Sequence, residues 1–166
     1  MSAPELSIIV LAYDEEENVG PVLGELHRWL EGAGLDAELL IVDDGSKDGT
    51  AEAAARALGP RVRRGRGRVL RHGTNRGMGA GIKTGARAAR VRLLTFLPAD
   101  GQIPPEAVGA LFDAREGVDA VWSVYADRDD GALRTVLSAG VRGLITAVHG
   151  VRVRSDGPWL VRRRLV

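Results

Sequence analysis

The chain has 166 residues, 45% of them hydrophobic, which suits about one domain with a substantial buried core. Its 23 basic residues face 22 acidic ones, a net charge of +1, so no global pull toward nucleic acid is expected. It has no cysteine, which excludes disulfides and thiolate chemistry, and its three histidines (His27, His72 and His149) are too scattered to favour a histidine-built metal site.

Met1 to Glu5 lacks the basic start and apolar centre of a signal peptide, and no apolar run approaches the roughly 20 residues that span a bilayer. A cytoplasmic location is expected, with contact at a membrane surface left open. Leu6 to Ala12 reads as a buried strand that ends in Tyr13-Asp14-Glu15-Glu16. Asn18 to Glu31 carries Val19, Val22, Leu23, Leu26 and Leu30 at helical spacing. Glu38 to Val42 is a second strand, and Gly49 to Leu58 an Ala-rich helix. Arg61 to Arg68, rich in Arg and Gly, reads as a loop before a short strand at Val69 to His72. Met78 to Arg90 is helical despite its glycines, Leu93 to Leu97 is a fourth strand and Pro105 to Ala114 the next helix. A fifth strand at Ala120 to Val124 precedes a long amphipathic helix, Ala132 to Val148, and a short strand near Trp159 to Val161 closes the chain. Strands alternating with helices predict a mostly parallel sheet covered on both faces, a three-layer α/β/α domain over residues 1–166.

The first motif is Asp43-Asp44-Gly45-Ser46, at a strand's carboxyl end, where α/β proteins bind ligands. One carboxylate can accept hydrogen bonds from a base or ribose while its neighbour faces a cation or caps a helix. The plain alternative is a capping turn, and Asp48 is expected to do only that. Two adjacent acids exceed what a cap requires, which favours a ligand role for Asp43.

The run from His72 to Gly85 superficially resembles a phosphate-binding P-loop, but Ile82 replaces the glycine that should precede the Lys83-Thr84 pair. Gly77, Gly79 and Gly81 are spaced by two, so the dinucleotide fingerprint fails as well. A glycine-rich helix start with exposed N–H groups, Arg76 and Lys83 suits an anion, and close helix–sheet packing through small residues is an equal alternative. In Leu97 to Glu106, Asp100 and Gln102 can reach a divalent cation, although one carboxylate is thin for magnesium. The alternative is a loop turned at Asp100, with Pro105 opening the next helix. The basic residues from Arg128 to Arg164 suit a phosphate site or a membrane surface, with a solvated face as the default.

In order, these motifs resemble family 2 glycosyltransferases of the GT-A fold, nearest the dolichol- and polyprenol-phosphate mannosyltransferase branch. The stretches that carry the resemblance are Ile8 to Glu15, Val42 to Thr50, Asn75 to Gly79 and Asp100-Gly101-Gln102 with Pro104-Pro105-Glu106. Arg134 to Ser138, and Gly157-Pro158 before Arg162-Arg163, extend it over nearly the whole chain. The resemblance implies inverting transfer of a sugar from a nucleotide-diphosphate sugar to an acceptor, with a polyprenyl phosphate as the candidate. Tyr13, Glu15 and Asp43 would hold the base and ribose, and Ala12, Asp44, Gly77, Lys83 and Asp100 would complete the nucleotide site. Asp100 and Gln102 would hold Mg2+ or Mn2+ on the diphosphate, Arg128, Arg134 and Ser138 would meet the acceptor, and Asp100 with Arg134 would be catalytic. The chain departs from the family pattern at Pro98, where Asp-x-Asp has its first acid, at Tyr125 in place of an arginine, and at Arg154-Ser155-Asp156, where an acid is displaced. Asp14 stands for the Asn of Tyr-Asn-Glu. The alternative these departures leave is a catalytically impaired nucleotide-binding relative, acting as a regulatory or partner subunit. Self-association is left open.

Overall fold

The computed structural model describes residues 4–123 and 157–166. Residues 1–121 and 158–166 form one compact unit and residues 122–157 a second. Strands β1 (Leu6–Ala12), β2 (Ala37–Asp43), β3 (Gly67–Arg71) and β4 (Leu93–Pro98) run parallel, and β6 (Trp159–Arg162) is antiparallel to β4. With β5 (Ala120–Trp122) the sheet has the order β3-β2-β1-β4-β6-β5 among the described residues.

The continuous Leu, Ile and Val runs of β1 and β2 suit strands buried on both faces. Because successive side chains point to opposite sides, the two strands feed two cores. Ile8, Val10, Leu39, Ile41 and Leu97 pack with α1 (Val19–Gly32), α2 (Thr50–Leu58) and α5 (Glu106–Asp113). Ile9, Leu40, Val42 and Leu94 face α4 (Met78–Ala88) on the other side. The predicted three layers and mostly parallel sheet are therefore present.

One segment departs from the sequence reading. Residues expected as a loop begin with a one-turn helix, α3 (Pro60–Arg63). Gly59, at φ +40°, ends α2, and Pro60 then has its φ preset for a new first turn. The Arg and Gly content of the segment hid that turn. The expected helix from Ala132 to Val148 lies outside the described residues.

Two glycines of α4 serve the close-packing alternative. A Cβ on Gly85 would stand 2.6 Å from Ile9 Cγ2, and one on Gly81 would stand 2.8 Å from Leu11 Cδ2. The helix backbone thus lies directly on β1. Gly79, two residues before Gly81, has open space around it. We expect Gly85→Val to lower stability by about 1–3 kcal/mol through overpacking, and Gly79→Ala to leave it unchanged or raise it by roughly 0.5–1 kcal/mol. Urea melts of the two variants test this, and equal behaviour would remove the close-packing explanation.

Candidate functional site

Strand register sets Ala12, Asp43 and Arg71 side by side at the carboxyl ends of β1, β2 and β3, with Pro98 beside Leu11. The loops leaving these ends are laced together. Asp14 N–H donates to Ser46 Oγ (2.9 Å), and the Asp14 carboxylate accepts from Lys47 N–H (2.8 Å). Asp14 sits at φ +53°, a left-handed conformation that Asp tolerates better than most residues. Glu15 N–H donates to Thr50 Oγ1 (2.8 Å), and Gly49 N–H to the Glu16 carboxylate (2.8 Å). Asp48 accepts from Thr50 N–H (3.0 Å) at the start of α2, and also from Glu16 N–H (3.1 Å). It therefore does more than the capping expected of it.

Asp44 ties in the third loop. One oxygen accepts from His72 Nδ1 (2.6 Å) and Arg76 N–H (2.9 Å), and the other from Gly77 N–H (2.7 Å). Because Asp44 is the acceptor, the His72 proton sits on Nδ1, and Nε2 can accept from the Thr84 hydroxyl at 2.8 Å. Burial pushes the Asp44 pKa up, but the bonds from His72, Arg76 and Gly77 outweigh it and hold the pKa below the ordinary carboxylate value. The loops also cross closely at Gly45, where φ is +80° and a Cβ would stand 2.4 Å from the Thr74 carbonyl carbon.

These bonds narrow the anion site expected at the start of α4: the N–H groups of Arg76 and Gly77, just before the helix, are taken by Asp44. Lys83 is exposed on α4, and Tyr13 is exposed at the end of β1. Glu15 lies beside it, with its carboxylate accepting from Asn18 Nδ2 (2.7 Å).

Asp43 is different from its neighbour. It is fully buried, and Oδ1 accepts from Ser46 N–H at 2.9 Å. Oδ2 lies 3.1 Å from Arg71 Nε but makes no hydrogen bond of good geometry. A buried carboxylate oxygen with unused acceptor capacity is costly, so such an atom calls for a partner. Arg71 is half-exposed above it and donates through Nη2 to the Ser46 carbonyl (3.2 Å). The sequence reading passed over Arg71 as the end of a short strand; its register opposite Asp43 was the signal available.

On the β4 side, Ala99 N–H donates to the Leu11 carbonyl (2.8 Å), which seats Asp100 beside the end of β1. One Asp100 oxygen accepts from Gln102 N–H (2.9 Å), the turn foreseen for this loop. Pro98 ends β4 and offers no ligand atom from its side chain. Among the described residues, no three His, Asp or Glu side chains converge as a metal site. The expected acceptor residues Arg128, Arg134 and Ser138, together with Tyr125 and residues 154–156, lie outside the described residues.

The family profile described as glycosyl transferase family 2 matches residues 7–166. The chain belongs to this family. It is 34% identical over 167 residues to the undecaprenyl-phosphate 4-deoxy-4-formamido-L-arabinose transferase of Shewanella sediminis (strain HAW-EB3), covering 97% of this chain and 49% of that protein. It is 31% identical over 156 residues to the dolichol-phosphate mannosyltransferase of Mycosarcoma maydis, covering 86% and 51%. The chain thus spans about half the length of the curated relatives it matches. Among solved structures it superposes on glucosyl-3-phosphoglycerate synthase from Mycobacterium tuberculosis in complex with Mn2+, UDP-glucose and phosphoglyceric acid. The TM-score is 0.71 at 21% identity, over 98% of this chain and 58% of the other. Mannosyl-3-phosphoglycerate synthase from Rubrobacter xylanophilus gives a TM-score of 0.74 at 21% identity, over 98% and 54%. The fold is the GT-A fold that the motifs implied.

The depressed pKa of Asp44 has a definite sign in stability. Its contribution is present above the unfolded-state value near 3.8 and is lost as pH falls through the lower folded-state pKa. An amide has one oxygen for donors that now use two, so Asp44→Asn should cost about 1–3 kcal/mol at neutral pH. The gap from the parent should narrow as pH falls to about 3, below the unfolded-state value near 3.8, because protonation of Asp44 in the unfolded chain then erodes the parent's advantage. Urea melts at the two pH values test this, and a gap independent of pH would remove the charge from the argument.

Proposed function

We propose that this chain binds the nucleotide-diphosphate sugar of a family 2 glycosyltransferase at the carboxyl rim of β1, β2 and β4. The observation that carries the reading is the unsatisfied Asp43 Oδ2, buried beside Arg71 at the β2 end. A nucleobase N–H is a donor of the right kind for it. Because Asp43 is fully covered, such a donor reaches it only when its neighbours, Arg71 first, shift aside. Tyr13, exposed at the rim, would lie against the base, and Ala12, Glu15, Gly77 and Lys83 would complete the nucleotide site. Asp44 holds the frame.

The reaction is a single displacement. The acceptor oxygen attacks the anomeric carbon, the bond from that carbon to the diphosphate oxygen breaks, and the diphosphate leaves with the electron pair and inversion. The relatives' printed names point to a polyprenyl phosphate acceptor. Its oxygen is already anionic at neutral pH, so no strong general base is needed. Arg128, Arg134 and Ser138 are the candidates for holding that phosphate, and Asp100 and Arg134 are the candidate catalytic residues. The comparisons lend no support to the non-catalytic partner-subunit reading.

The residues present fit a cation that arrives with the diphosphate better than one resident in the protein. Asp100 supplies one carboxylate with an uncommitted oxygen, Gln102 an amide, and Pro98 nothing. Magnesium sites commonly combine one or two carboxylates with substrate phosphates. When bound, the ion offsets the charge growing on the departing diphosphate. A peripheral, cytoplasmic position accords with a lipid-phosphate acceptor, and no described helix is long and apolar enough to cross a membrane.

Calorimetry with uridine and guanosine diphosphates, with and without manganese, tests the reading. Asp43→Asn should weaken the preferred nucleotide by about tenfold or more, roughly 1.4 kcal/mol. An unchanged affinity would remove Asp43 from the site. Pro98→Asp should create manganese-stimulated nucleotide binding beyond that of the parent. No gain would mean that the β4 loop does not face the diphosphate.

A further inference from the structure

The opposite rim of the sheet carries a second concentration of charge. A cleft of about 1050 Å³ opens there, lined by residues that precede β1, β3 and β4, by Glu38 near the start of β2, by those that follow α5 and by the end of β6. It lies about 20 Å from the donor rim, the length of a seven-residue strand. Its charged lining is mostly arginine.

Several of these arginines are already matched. Arg66 pairs with Asp36 (3.0 Å), and Arg162 and Arg164 share Asp119. Glu38, in the cleft wall, contributes little free negative charge. It is buried and accepts from Ser7 Oγ (2.7 Å), Arg68 Nη2 (2.7 Å) and Arg90 N–H (3.0 Å). Burial pushes the Glu38 pKa up, but these bonds outweigh it and keep the carboxylate ionised and committed.

What remains is cationic. Arg64, Arg90, Arg92 and Arg163 are exposed, and among the described residues none of their guanidinium groups meets a carboxylate. Arg115 adds a fifth, held over the Phe112 ring at 3.7 Å and donating to the Phe112 carbonyl (2.7 Å). Arg64, Arg90, Arg92 and Arg115 line this cleft, opposed there by Glu5 and Glu116 besides the committed Glu38, and Arg163 lines a smaller adjoining hollow that shares Arg90, Arg92 and Arg162. The arginines come from four separate stretches of chain, around residues 64, 90–92, 115 and 163, and their main chains are tied where Arg163 N–H donates to the Arg92 carbonyl (2.7 Å). Guanidinium forks match phosphate oxygens in pairs. The volume suits a small ligand or a headgroup better than the broad, flat face of a protein interface.

We propose that this amino-end cleft binds a phosphate-bearing ligand, separately from the sugar donor. Two sources share that chemistry: a soluble polyphosphorylated compound and the headgroup of an anionic lipid. The probes are inorganic tripolyphosphate, followed by calorimetry with the donor rim saturated by nucleoside diphosphate, and phosphatidylcholine vesicles with and without phosphatidylglycerol, followed by co-sedimentation. The full chain should bind at least one probe, more weakly as salt rises. The triple variant Arg90→Ser, Arg92→Ser, Arg163→Ser should lose about tenfold or more of that affinity, as expected when several charge-assisted contacts go. Its nucleoside-diphosphate affinity should match the parent. Should the triple variant fail to fold, the single exposed change Arg92→Glu makes the same test. Tripolyphosphate binding alone assigns a soluble ligand. Vesicle binding that tripolyphosphate competes away assigns a headgroup. Binding of neither probe, or equal binding by parent and variant, overturns the proposal. Because nucleotide binding is read in parallel, its failure is distinguishable from failure here.

Discussion

Backbone N–H groups in loops have no helix or sheet to satisfy them, and at the carboxyl rim of this sheet carboxylates do that work. Asp14, Glu16, Asp43, Asp44 and Asp48 each accept from a main-chain N–H of these loops, four of them across to a different loop. Asp44 has the widest reach, since it fixes the entrance of α4 from the end of β2. The rim is therefore preformed by internal charge-assisted bonds. Most of its acidity is committed within the loops, which leaves Asp43 Oδ2, buried against Arg71 without a well-formed hydrogen bond, and one oxygen of Asp100 as the acceptors with capacity to spare.

That division explains what was legible in the sequence. The two long apolar strands and the 3.6-residue spacing of α1 announced themselves, because their apolar patterns are written in nearby residues of the sequence. The acidic strand ends were visible as well, and so was the family they resemble. Which acid holds a loop and which has capacity to spare was not visible. Asp44 meets Arg76 and Gly77 some thirty residues away, and nothing in the local pattern of Asp43-Asp44 separates the two roles. The glycines of α4 show the same limit. Only the distances to Ile9 and Leu11 separate Gly81 and Gly85, which admit β1, from Gly79, which admits nothing.

The basic rim was the least legible part. Its arginines are scattered through a chain whose composition is almost neutral, and they become one surface only because parallel strands all begin on the same side. The segment before β3, with its Arg and Gly content, looked like a featureless connection. In the fold it helps to wall a cleft.

A net charge of +1 for the chain therefore conceals, among the described residues, two poles at the two ends of one sheet. Loops rich in carboxylate cluster where the strands end, and unmatched guanidinium groups cluster where they begin. A molecule built this way does not behave like a neutral one. Near neutral pH it can adhere to both cationic and anionic chromatography resins, presenting a different end to each.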